Sequence, residues 1–200
     1  MSIFGFILAF LPWILFLILS GHSLPSLKIA IIISFFVSIG MGIARIHRGA
    51  ILWAGVCFFS FDIISVVLLN NRWIAMHTGA LASGTLFAAA LLSLLVGKPF
   101  TMEYARSTVE EKYWKTPEFL RSCNIITAGW CVVFLLNVIL SIVKLYYRGV
   151  PGWVYEVTQY AFLFSGVAFT NFYSKHERKK REGKAPDQSK LEEAPGKSEE

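Results

Sequence analysis

Charge is scarce in this chain. Of its 200 residues only 16% are Asp, Glu, Lys or Arg, where ordinary soluble domains carry roughly a quarter. That excludes water as the main solvent. Three cysteines, Cys57, Cys123 and Cys131, stand at spacings that make neither a disulfide framework nor a metal pattern. Each lies in or beside an apolar run, where a thiol acts as a small apolar residue. The four histidines, His22, His47, His77 and His176, never pair as HxxxH or HxxE, so no helical face offers two metal ligands. No metal site, no cofactor and no catalytic residue is expected, and the chain reads as a non-enzyme. An inverted repeat of three helices plus three, common in transporters, is also missing. Asp62 lies mid-run in the third apolar segment, whereas Glu156 lies near the outer end of the sixth, at its start.

What the chain has in abundance is apolar length, with 55% hydrophobic and 15% aromatic residues. They fall in six runs, 3–20, 27–44, 51–69, 74–96, 123–146 and 153–173. Each is long enough to cross a hydrocarbon core about 30 Å thick as a helix. The predicted fold is all-α, a polytopic transmembrane bundle of about six spans occupying residues 1–173. Asp62 should cost about 2.5–3.5 kcal/mol near the bilayer centre, but the dozen Leu, Ile, Val and Phe residues of its run return about 5 kcal/mol, so the run still spans. The first run opens at Ile3 without a basic flank and passes Pro12 and Trp13 to Ser20 without a small-residue cleavage site, which reads as an uncleaved span.

Basic residues set the orientation. The connections Arg45–Arg48 and Lys98–Arg121, with the tail from Lys175, hold fifteen Lys and Arg, against Lys28, Arg72, Lys144 and Arg148 in the others. By the positive-inside rule both termini are expected in the cytoplasm. Residues 174–200, low in apolar side chains and rich in Lys, Glu, Pro and Ser, are expected to be a disordered charged tail.

Helices gain little from apolar burial in lipid, so close packing is expected at small residues. Ser34, Ser38 and Gly42 mark the second run, and Ala75, Gly79 and Ser83 with Ala80, Gly84 and Ala88 mark the fourth. The fourth helix is therefore expected to be central. At membrane depth the candidate polar site is Asp62, His77 and Asn137. Asp62 precedes Asn71 by nine residues and His77 follows it by six, a depth difference of about 4.5 Å across a hairpin. Such a pair could share one proton in an ion- or proton-binding site. Equally, Asp62 could be a packed contact beside Ser65, Ser83 or Thr85. Asn137 reads as an interhelical hydrogen bond or as part of a ligand path. Lys144 and Glu156 each stand six residues from Val150, which predicts an interfacial pair at the outer end, anchored at the headgroups.

The connection 97–122 is amphipathic and predicted to lie on the cytoplasmic membrane surface. Ser107 with Glu110 makes a capping box, and Thr116, Pro117 and Glu118 a helix start. Phe100, Tyr104, Trp114 and Phe119 are expected at headgroup level. Lys98 and Arg106 complete a candidate lipid or partner surface with Phe100, Tyr104 and Trp114. Its near-balanced charge argues against nucleic acid. The stretches GKPFTMEYAR, Gly97–Arg106, and YWKTPEFLRSCNIITAGW, Tyr113–Trp130, resemble the loop and following helix of bacterial membrane proteins related to intracellular septation protein A. The resemblance implies an inner-membrane protein serving cell-envelope processes, partnered by the lipid bilayer and other envelope membrane proteins. It carries no enzyme activity and no cofactor with it. The alternative reading is a small proton-linked transporter or channel whose path runs past Asp62.

Overall fold

The computed structural model describes residues 8, 10–21, 23–44, 49–106, 109–147 and 149–182, the last five by backbone alone. Among them run seven α-helices and no strand: α1 (Leu11–Leu19), α2 (Leu24–Ile43), α3 (Ala50–Asp62), α4 (Arg72–Leu95), α5 (Phe100–Arg106), α6 (Pro117–Tyr146) and α7 (Gly152–Glu182). A six-residue π-helix, Ile63–Leu68, continues α3, and a 3-10 turn, Glu111–Tyr113, lies between α5 and α6. Four helices are long and apolar enough to cross a membrane: α2, α3 with its π extension, α4 and α6. They mark the chain as a transmembrane protein. The first and last expected spans are not among the four. As described, α1 has nine residues, about 13 Å of helix, and α7 interrupts its apolar run with Glu156, Gln159 and Asn171.

Helix starts follow their caps. Ser23 opens α2 through a reciprocal box with Ser26, each serine side chain accepting from the other's backbone N–H. Asn71 accepts from the Ile74 N–H to open α4, and Thr116 from the Phe119 N–H to open α6, with Pro117 and Glu118 in its first turn. The Thr116 signal therefore starts α6 six residues before the apolar run predicted from Cys123. The tight α3–α4 turn falls where the sequence places it, with Asn70 at a φ of +50°, a conformation asparagine tolerates. The expected box at Ser107, the loop 45–48 and the distal tail lie outside the described residues. Residues 174–182, expected to be disordered, continue α7 as helix, because Lys, Arg and Glu are good helix formers once a preceding helix supplies the nucleus.

Consecutive helices pack as hairpins from α1 to α4, and α6 then lies against α4, α5 and α7. The fourth helix is central as expected, packed against α3, its π extension, α5 and α6, and α6 shares that place. The buried stripe of α4 is Thr78, Ala82, Leu86, Ala90 and Ser93, while a side chain added at Gly79 or Gly84 would meet none of the described residues within 4 Å. Small residues do mediate contact on α2, where Ser34 and Ser38 are fully buried, and between α6 and α7. There the Phe169 ring lies over Gly129 and the Trp130 ring over Gly166, so that a Cβ at Gly166 would come within 3.1 Å of the indole.

Trp130 also donates its Nε1–H to Thr170 Oγ1 at 2.9 Å, stacks on Phe10 at 5.7 Å and meets Phe134 in a tilted contact at 5.3 Å. Trp130→Ala should destabilise the bundle by about 3–5 kcal/mol, and Thr170→Val, which removes one hydrogen bond, by about 1 kcal/mol. Unfolding midpoints in mixed detergent micelles check that ranking.

Candidate functional site

Three places hold the polar groups of the bundle. At the end where α2, α4 and α7 begin and α6 finishes, Lys144 Nζ meets Glu156 Oε1 at 3.1 Å, and Gln159 donates to Ser141 Oγ at 2.7 Å. The predicted interfacial pair is formed. It arises because α6 and α7 run antiparallel from a turn ending at Pro151, which Tyr155 closes by donating to the Tyr147 carbonyl at 3.0 Å. Both side chains are about a third exposed, so the pair contributes at most about 1 kcal/mol. Its larger effect is positional. Ser141, Lys144, Glu156 and Gln159 form one wall of an open cleft of about 840 Å3, which Arg72 and Thr78 of α4 and Phe16, Leu17, Leu24 and Leu27 of α1 and α2 complete. Trp73, Tyr146, Tyr147 and Trp153 stand exposed at this end, the position of an interfacial aromatic belt.

Asp62 lies in the second place. It continues the buried stripe Ile51, Gly55, Phe58 and Phe59 of α3 and sits at the junction with the π-helix, an irregularity frequent at functional positions. The residue is fully buried, and neither carboxyl oxygen has a hydrogen-bond partner. Ser34 Oγ on α2 is likewise buried and unpartnered. The two belong to one layer. Ser38 faces Gly55 and Lys28 reaches the Val67 carbonyl, and that antiparallel register puts Ser34 within about one helical turn of Asp62.

The other predicted members of this site are elsewhere. His77 Nδ1 donates to the Trp73 carbonyl at 2.7 Å, and its ring stacks on the Trp73 indole at 4.1 Å. Asn137 is buried and donates to the Val133 carbonyl of its own helix at 2.9 Å. Depth arithmetic placed His77 near Asp62, but the bundle-facing residue of that turn is Thr78, and its neighbour His77 points about 100° away around the helix. The alternative contacts with Ser65, Ser83 or Thr85 are not made either, since Asp62 has no partner and Thr85 donates to Leu81.

The third place is the loop between α4 and α6. Phe100 and Tyr104 are buried, 1% and 2% exposed, which corrects their expected place at the headgroups. An ordered α5 allows it, with its apolar side turned inward. The Phe100 N–H donates to Ser93 Oγ at 3.1 Å, and Thr101 Oγ1 lies 2.9 Å from the Cys123 carbonyl and 2.7 Å from Thr127 Oγ1. Phe119, also expected at the surface, is buried in a small cluster with Met102, Ala105 and Cys123. Arg106 and Trp114 keep a cation–π contact at 5.1 Å, and Lys98 is exposed. Sequence reasoning passed over Ser93, Thr101 and Thr127. Their signal is the pairing of hydroxyl residues at two helix ends that a short loop must bring together.

The Glu103 carboxyl of α5 lies beside the start of α3, and Gly49 leaves room for it, since a Cβ there would collide with the Glu103 carboxyl and come within 2.9 Å of the Tyr104 hydroxyl. Burial pushes the Glu103 carboxyl above its usual range, opposed by Arg106 and by the Ala50 N–H. Burial and the Glu103 charge push the Tyr104 phenol up. Among the described residues no three His, Cys, Asp or Glu side chains gather where a metal could bind, and Cys57, Cys123 and Cys131 form no disulfide.

Comparison of the chain with protein-family models, curated proteins and solved structures returns no match.

A raised folded-state pKa means that protonated Glu103 is favoured in the docked loop, so docking is strongest below the ordinary glutamate range and weakens as pH rises through the raised value. Glu103→Gln keeps an acceptor for Ala50 and should remove that dependence. Limited proteolysis of the loop at a series of pH values, wild type against variant, reads the difference.

Proposed function

We infer that this is a six-span protein of the bacterial inner membrane, with both termini in the cytoplasm, that supports cell-envelope processes by binding partners and not by catalysis. The two-sidedness of the loop carries this reading. Its inner face is fixed by Phe100, Thr101 and Tyr104, while Lys98, Arg106, Glu110 and Lys112 remain exposed. Such a surface is held in one shape before a partner arrives and loses less entropy on binding. The basic bias of this end supports its cytoplasmic placement. The packing of α1 along α2, and of α7 along α6, supports counting both as spans beside the four apolar helices. The resemblance of the loop and α6 to the septation proteins supports the link to the envelope.

Cells deprived of the chain should show a defect in envelope growth or division. Wild type should restore it, and Lys98→Glu, Arg106→Glu and Lys112→Glu combined, accumulated in the membrane at the wild-type level, should not. Equal rescue by the triple variant would remove the loop from the function, and the absence of any envelope defect would remove the support role.

The unpartnered carboxyl of Asp62 favours a second reading, proton-linked transport along a path past it, since an intramembrane acid is a functional-site hypothesis by default. Against it, none of Asp62, His77 and Asn137 lines the cleft. On this reading Asp62→Cys, in a background without Cys57, Cys123 and Cys131, is labelled by a water-soluble thiol reagent from one side of the membrane. Protection from both sides, in a variant that reacts once denatured, sinks it.

A further inference from the structure

The cleft at the far end from the loop joins two unlike walls. Arg72, Lys144 and Gln159 stand on the polar one, and Phe16, Leu17 and Leu27 on the other. A volume of about 840 Å3 lies within the range of small-ligand sites, roughly 300–1,000 Å3. It admits a headgroup with the first part of a chain.

We propose that this cleft binds a lipid with an anionic phosphate headgroup, the phosphate held between Arg72 and Lys144 and the chain laid against Phe16, Leu17 and Leu27. Glu156 offsets one of the two cations that line the cleft, which leaves the polar wall formally positive. Arg72 forms no ion pair with any described residue, and a guanidinium presents a planar fork that matches phosphate oxygens. Lys28, another cation of this end, is committed to the Val67 carbonyl and Asn70. The apolar wall separates a lipid from a soluble anion, because a free phosphate gains nothing from Phe16 or Leu17. Exposed Trp73, Tyr146, Tyr147 and Trp153 set the cleft at the depth where headgroups lie. This site is independent of the loop surface at the opposite end.

The full chain, purified and placed in vesicles or nanodiscs of phosphatidylglycerol, phosphatidylcholine or mixtures of the two, gives the test, with retained lipid counted by native mass spectrometry. Wild type should retain phosphatidylglycerol over phosphatidylcholine. Arg72→Gln and Lys144→Gln should each retain about tenfold less, the loss of one charge-assisted contact, and Arg72→Lys should keep most of it. Leu27→Trp, which fills the apolar wall and leaves every charge in place, should also displace the lipid. Equal retention of the two lipids by wild type overturns the proposal. So does undiminished retention by Arg72→Gln in a variant with wild-type unfolding behaviour, or release of the lipid by millimolar inorganic phosphate, which would make the cleft a site for a free anion.

Discussion

The indole of Trp130 is the contact on which the rest of the bundle depends. Its ring covers Gly166 of α7, its N–H is held by Thr170, and Phe10 from the segment leading into α1 stacks on it. In a lipid solvent apolar burial alone does not draw helices together, so a large ring seated on a glycine with its one polar atom satisfied is worth more than another leucine contact. The same helix reaches both ends of the molecule. Cys123 and Thr127 of α6 hold α5 at one end, and Ser141 and Lys144 build the cleft wall at the other. Loop and cleft are thus two ends of one rod, fixed in its middle.

Features that depend on one coordinate were legible in the sequence. Apolar run length placed α2, α3 with its π extension, and α4 to within three residues, and the Thr116 signal marked the start of α6 where hydropathy began only at Cys123. The Lys144–Glu156 pair was legible because both residues lie near the same turn, where depth alone nearly decides contact. Asp62 and His77 were a different problem. Their depths match, but a helix turns about 100° per residue, so one position along α4 separates a side chain facing the bundle, Thr78, from one stacked on Trp73. The loop misled for another reason. Aromatic residues beside charges read as a membrane-interface belt, and nothing local in the sequence says that Phe100 and Tyr104 turn inward. That information is held by Ser93, Cys123 and Thr127, which belong to other helices.

Glycine patterns show the same limit. Gly79 and Gly84 share a spacing with true contact residues yet face no described neighbour within 4 Å, whereas Gly129 and Gly166, which carry no repeated motif, are where the Phe169 and Trp130 rings seat between α6 and α7. A small residue permits close approach; the large residue opposite it decides whether the approach happens.

The π-helix after Asp62 has a geometric consequence of its own. Winding by i to i+5 stores one more residue per turn than α winding, so Ile63–Leu68 holds slack between two fixed points, the Glu103 contact at the start of α3 and the Asn70 turn. A chain one residue shorter in this stretch could close into regular α-helix with both anchors in place. Sequence distance along α3 is therefore not a ruler for distance through the membrane, and Asp62 stands at the point where the two measures part.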